Sequence, residues 1–285
     1  MNRLKSMFIA MYPMLAMALA GYSIYQQSIF GFSLGWTGII LASLPMLMVI
    51  MWLLIFQSQA RTSKHFPLIT ALGFVGVGLS LYEFFVVQTD ITAVVLSITG
   101  LATFLIYNFW YSSLGRSDNS QLSIGRSLPS FNVTKENAET VSSESFLGSP
   151  TVLIFFRGNW CPLCMAQIKE IVDKYKELSE LGAEIVFISP QPEKNTIKLA
   201  SKYGLNLRFL TDKNNAAAKI LGIEMKSGLP MGMEVLGYDS DTVLPTVIIT
   251  DAKGNITYSD QTNNYRIRPE PEEFINILKL QVSVG

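Results

Sequence analysis

The run Thr151-Val152-Leu153-Ile154-Phe155-Phe156-Arg157-Gly158-Asn159-Trp160-Cys161-Pro162-Leu163-Cys164 changes character halfway along. Its first six residues are β-branched, aliphatic or aromatic with no charged break, the pattern of a strand covered on both faces. After Pro162, the residues Ile168, Ile171, Val172, Tyr175 and Leu178 recur at helical spacing with Lys and Glu between them, which predicts an amphipathic helix over 162–181. The only two cysteines of the chain stand at this junction, three residues apart and hence on one helix face. Pro162 suits the first helical turn, where its missing N–H is not needed. Cys161 then lies at the helix amino terminus, where unpaired N–H groups and the dipole favour a thiolate. Thiols in Cys-x-x-Cys sites have pKa values lowered to about 3.5–7.5. This makes Cys161 the exposed nucleophile and Cys164, one turn inward, the resolving thiol. A zinc centre needs about four ligands, and this half of the chain offers two thiols and no histidine. Two inert core cysteines would not need a strand–Cys-Pro-x-Cys–helix junction.

Outward from the junction, strand-like and helix-like runs alternate. A second buried strand is predicted over 183–188 and a helix over 193–203, closed by Gly204. A short strand over 205–210 precedes a short helix over 214–221, closed by Gly222. Strands 246–250 and 255–258 form a hairpin across Asp251-Ala252-Lys253-Gly254, and 272–280 closes the chain as a helix. The expected class is an α/β domain over 125–285 with a mixed central sheet flanked by helices, reached through a polar linker at 112–124.

The first 111 residues belong to another regime. Of 22 basic and 22 acidic residues, only Arg3, Lys5, Arg61, Lys64, Glu83 and Asp90 precede residue 112. The apolar runs predict an all-α transmembrane domain of four helices, at about 7–25, 36–56, 67–87 and 91–111, with membrane lipid as partner. Arg3 and Lys5 before Ala18-Leu19-Ala20 resemble a cleavable leader, but the apolar stretch continues past Gly21, which favours an uncleaved anchor. Arg61 and Lys64 lie between the second and third runs, and the other two short loops carry no basic residue, so the positive-inside rule puts the amino terminus, the 57–66 loop and the second domain in the cytoplasm. The expected location is a bacterial inner membrane. Gly73, Gly76, Gly78 and Ser80 mark close helix packing. Glu83 is near enough to the end of its helix to reach the interface, and the lone His65 reads as a loop residue rather than a base. A net charge of zero excludes a nucleic-acid footprint. No span holds a cysteine, so a thiol relay across the bilayer within this chain is excluded.

The segment from Phe156 to Cys164 resembles the active-site segment of thioredoxin-fold proteins, and most closely the peroxiredoxin-like members of the alkyl hydroperoxide reductase/thiol-specific antioxidant (AhpC/TSA, redoxin) family. The likeness runs over about 122–282 and takes in Gly125-x-x-Leu128-Pro129-x-Phe131, Ile188-Ser189-Pro190-Gln191, Phe209-Leu210-Thr211-Asp212 and Leu244-Pro245. It implies that Pro245 is a cis proline facing the dithiol; from the residues alone, Pro245 is equally an ordinary edge proline. Trp160 and Arg157 join it as expected substrate-binding residues, although Arg157 also reads as a solvated strand-end charge. Arg266 and Arg268 are near the site only by fold analogy. The departures matter as much. Peroxiredoxins carry Pro seven residues and Thr or Ser three residues before the peroxidatic cysteine, where this chain has Ile154 and Gly158; thioredoxins carry a buried Asp where it has Phe155. The missing hydroxyl favours a membrane-anchored thiol-disulfide oxidoreductase with a protein disulfide as substrate, an external thiol reductant and no cofactor. The alternative is a thiol peroxidase that reduces peroxides through a Cys161 sulfenic acid, and the further alternative a non-catalytic binding module.

Overall fold

The computed structural model describes residues 2–117, 119–204 and 207–284. The chain forms two compact units: residues 4–57 with 63–113, and residues 2–3 and 58–62 with 114 onward. The first unit is helical, with α1 (Asn2–Phe30), α2 (Leu34–Phe56), α3 (Pro67–Tyr82) and α4 (Thr92–Leu105). A wider π-helical turn extends α3 over Glu83–Val87 and α4 over Ile106–Tyr111. All four runs are long and apolar enough to cross a membrane. α1 overruns the expected 7–25 because Gln26-Gln27-Ser28 stay helical, and the chain turns only at Gly31, whose φ is +87°.

The small residues let α2 and α3 touch through their backbones. A Cβ on Gly38 would sit 2.2 Å from the Gly76 carbonyl oxygen, and one on Gly76 would sit 2.3 Å from that of Gly38. The Ser80 hydroxyl donates to the Gly35 carbonyl at 3.0 Å. Gly78, expected in the same contact, faces open space. Glu83 does not reach outward for water. Its Oε2 accepts from the Ser33 hydroxyl and the Gly35 N–H, both at 2.7 Å, and so caps the amino terminus of α2.

The second unit is a thioredoxin-like α/β fold. In chain order its elements are β1 (Asn132–Thr134), β2 (Thr140–Ser142), β3 (Thr151–Phe155), α5 (Pro162–Asp173), α6 (Tyr175–Glu180), β4 (Glu184–Ser189), α7 (Glu193–Tyr203), β5 (Arg208–Thr211), α8 (Ala216–Ile220), β6 (Glu224–Met225), β7 (Thr242–Val243), β8 (Thr246–Thr250), β9 (Ile256–Asp260) and α9 (Pro271–Val284). Seven strands make one mixed sheet in the order β2-β1-β5-β4-β3-β8-β9, with β3, β4 and β5 mutually parallel in sequence across the sheet. Leu153 faces Val186 on one side and Ile248 on the other. Every residue of β3 is buried, as its unbroken apolar run requires.

Two expectations change, at Lys174 and in the linker, and one short hairpin was not anticipated. The predicted 162–181 helix breaks at Lys174, which leaves helical geometry at φ −98°, ψ 7°. Residues 205 and 206 of the predicted 205–210 strand lie outside the described residues, and β5 begins at Arg208. The short hairpin β1–β2 is too brief to show an alternating pattern. The 112–124 linker is not a free tether, because Leu114 and Leu122 are buried in the core with Phe155 and Ile248. Burial of two apolar side chains outweighs the polar composition around them.

Candidate active site

The sheet ends where the chemistry begins. β3 stops at Phe155, and the Phe156 N–H still bonds to Ile188 of β4 at 3.0 Å, which fixes the exit direction of the chain. The next residues turn tightly, with the Cys161 N–H donating to the Gly158 carbonyl at 3.1 Å. Gly158 is needed there: its φ is +142°, and a Cβ would meet Trp160 Nε1 at 2.7 Å. A side chain at the position where peroxiredoxins carry a hydroxyl would therefore have to displace the Trp160 ring. Cys161 takes the N-cap position of α5 in extended conformation, and Pro162 fills the first turn.

Both cysteines are free thiols, yet neither is at the surface: Cys161 is 2% exposed and Cys164 fully buried. This corrects the expected exposed nucleophile. The two thiols hydrogen-bond to each other, and that bond together with burial pushes Cys161 well above the usual thiol range. Burial pushes Cys164 up as well, but the Cys161 hydrogen bond, the Arg268 guanidinium and the Arg157 backbone N–H outweigh it and lower Cys164 to about 5. One proton is shared along this hydrogen bond, and the two opposite shifts favour the negative charge on Cys164 over the helix-capping Cys161, where the dipole argument puts it. A nearby guanidinium exceeds the partial charge of a helix terminus.

Arg268, set aside on sequence grounds, is the nearest charge to Cys164 and contributes to this. Its Nη2 lies 3.5 Å from Cys164 Sγ and its Nη1 donates to Gln167 Oε1 at 3.0 Å. Only the fold brings it there, across 104 positions of chain; the sequence signal was a pair of arginines, Arg266 and Arg268, in a stretch predicted to have no regular structure. Arg157 is not a solvated strand-end charge. It is 5% exposed, its Nη2 donates to the Gly228 carbonyl at 2.6 Å, and its guanidinium stacks 4.6 Å from the Trp160 ring centre. Trp160 is half-buried over Gly158. Asn159 is fixed from both ends: its N–H donates to Gln191 Oε1 at 2.8 Å, and its Oδ1 accepts from the Tyr238 hydroxyl.

Pro245 is buried, and the peptide bond before it is trans. The expected cis proline is therefore not found; Arg116 Nη2 donates to the Pro245 carbonyl at 2.8 Å and to the Thr246 hydroxyl at 2.9 Å, which ties down the entry to β8 with the bond trans. Pro245 nonetheless shares the wall of a small cavity with Gln167 and Arg268.

Residues 124–259 match the AhpC/TSA family. The chloroplastic peroxiredoxin Q of Populus jackii is 30% identical over 112 residues, which cover 39% of this chain and 53% of the relative. That of Sedum lineare is 30% identical over 125 residues, covering 43% of this chain and 67% of the relative. The crystal structure of the peroxidoxin BcpB from Mycobacterium tuberculosis is 18% identical with a TM-score of 0.46, covering 57% of this chain and 99% of that one. The chain spans about half the length of the first of these relatives. Carrying the dithiol junction on a thioredoxin-like sheet, this chain belongs to the AhpC/TSA family.

Proposed function

We propose that this protein is a membrane-attached thiol peroxidase that reduces small peroxides at Cys161 and Cys164. The observation that carries this reading is burial: a protein disulfide must lay its sulfurs against the attacking thiol, whereas a peroxide is small enough to reach a thiol that is only 2% exposed. The family membership supports the same choice over disulfide exchange.

The chemistry follows from the shared proton. The Cys161 proton moves along the existing hydrogen bond to Cys164, and the Cys161 thiolate attacks the terminal peroxide oxygen. The S–O bond forms as the O–O bond breaks. The leaving alkoxide takes the proton from Cys164, so alcohol departs and Cys161 is left as a sulfenic acid. Cys164, again a thiolate, attacks the sulfenic sulfur and expels hydroxide, which solvent protonates to water. The resulting disulfide is returned to the dithiol by an external thiol reductant that supplies two electrons and two protons. Arg268 and Arg157 hold the negative charge near the sulfurs throughout. The four apolar helices support attachment to a bilayer, with the redox unit on the cytoplasmic side by the positive-inside count.

The test compares two substrates on the reduced full chain in detergent. Peroxide consumption that Cys161→Ser abolishes, with no turnover of insulin disulfides, is expected. Insulin reduction without peroxide consumption would reverse the assignment.

A further inference from the structure

Arg61 lies between α2 and α3 in the sequence, yet residues 58–62 belong to the same compact unit as the dithiol. Its guanidinium joins two parts of that unit. Nη2 meets Glu170 Oε2 on α5 at 2.6 Å; Nε donates to the Arg268 carbonyl at 3.2 Å and Nη2 to the Pro269 carbonyl at 3.4 Å. Next to it, the Thr62 N–H donates to the Arg266 carbonyl at 3.1 Å. Cys164, Gln167 and Glu170 follow each other at three-residue spacing along α5, so they share one stripe of the helix. Arg268 binds the first two and Arg61 the third. An exposed Arg–Glu pair by itself contributes little. A planar fork that also holds the backbone of the neighbouring arginine does something different: it fixes where the Arg268 side chain starts.

We propose that Arg61 is a positioning residue for Arg268, so that the loop joining the two apolar helices completes the redox centre instead of merely linking membrane spans. This rests on the reading of Cys161 and Cys164 as the working dithiol. The groups acting on Cys164 are Cys161, Arg157 and Arg268; Arg61 reaches it only through the last.

The test uses the full chain in detergent micelles. Thiolate formation is followed by ultraviolet absorbance against pH, each variant being referenced to the same variant lacking both cysteines, and peroxide consumption is measured in parallel. Arg61→Gln is expected to move the thiolate titration to higher pH by under about one unit and to slow peroxide consumption about threefold at pH 5 while leaving it near wild type at pH 7, the scale of coupling through one intervening contact. Arg61→Lys, which keeps the charge and loses the fork, should fall between wild type and Arg61→Gln. Arg268→Gln should shift the titration further, and Lys64→Gln, an exposed change nearby in sequence, should not move it. A wild-type titration in Arg61→Gln beside a shifted one in Arg268→Gln overturns the proposal. If Arg61→Gln does not fold, a wild-type titration in Arg61→Lys overturns it. Should the titrations shift as expected while peroxide consumption survives Cys161→Ser, the peroxidase reading fails and the positioning role stands.

Discussion

A buried thiolate is stable only where fixed charge replaces the water it has lost. Cys164 meets that condition in part through Arg268, so removing the guanidinium leaves desolvation opposed only by the Cys161 hydrogen bond and by Arg157. Arg268→Gln is expected to raise the pair's ionisation by about one to three units; a rise of about three leaves roughly a tenth of the pair ionised at pH 7 and cuts peroxide consumption about tenfold. In the intact protein the sign is the reverse. A Cys164 value of about 5 lies below that of a free thiol, so the pair is ionised from there upward. Activity should stay level from pH 8 to pH 6 and fall as pH drops through about 5, which a pH–rate profile checks. Gly158 gives a second test. Gly158→Thr restores the hydroxyl usual in peroxiredoxins but sets a β-branched residue at φ +142° against Trp160. It should lower stability by about 1–3 kcal/mol in thermal unfolding and fail to raise activity. At this scale the sequence disclosed the dithiol and its capping position, since both are local. It could not disclose that Cys161 is covered or that Arg268 reaches Cys164, because both depend on where distant segments fold.

Elements were legible where one physical requirement dominates. β3 is apolar after Thr151 because both neighbouring strands and both faces bury it, and Asp251 and Gly254 make the β8–β9 turn, with Asp251 Oδ1 accepting from the Lys253 and Asn255 N–H groups. The two-residue strands β6 and β7 and the break at Lys174 left no periodic trace. Among the helices, the Glu83 carboxylate is a structural tie. Glu83→Leu removes the acceptor for the Ser33 hydroxyl and Gly35 N–H and should cost about 1–2 kcal/mol, whereas Glu83→Gln, which keeps an oxygen acceptor, should cost less. Thermal unfolding in detergent compares the two. A larger loss is expected from Gly76→Val, since the added carbons would meet the Gly38 carbonyl directly.

For the whole molecule, composition alone separated a charge-poor first part from a second part of ordinary charge content. The boundary was less legible: residues 58–62 fold with the redox unit although apolar runs flank them, because Arg61 and Thr62 find backbone partners at 266–269. Topology is testable on a chain with both cysteines replaced by serine and one added at Lys176, whose side chain is 88% exposed. A membrane-impermeant maleimide should leave Lys176→Cys unlabelled in intact cells and label it after permeabilisation; labelling in intact cells would place the redox unit outside. The central claim is that the buried pair itself reduces peroxide, and intact-mass spectrometry of the reduced chain after one equivalent of peroxide tests it most directly. The account predicts loss of two hydrogens, mapped to a Cys161–Cys164 disulfide, and in Cys164→Ser the gain of one oxygen on Cys161. Both thiols unchanged, with peroxide unspent or oxygen found only on methionine, would contradict it.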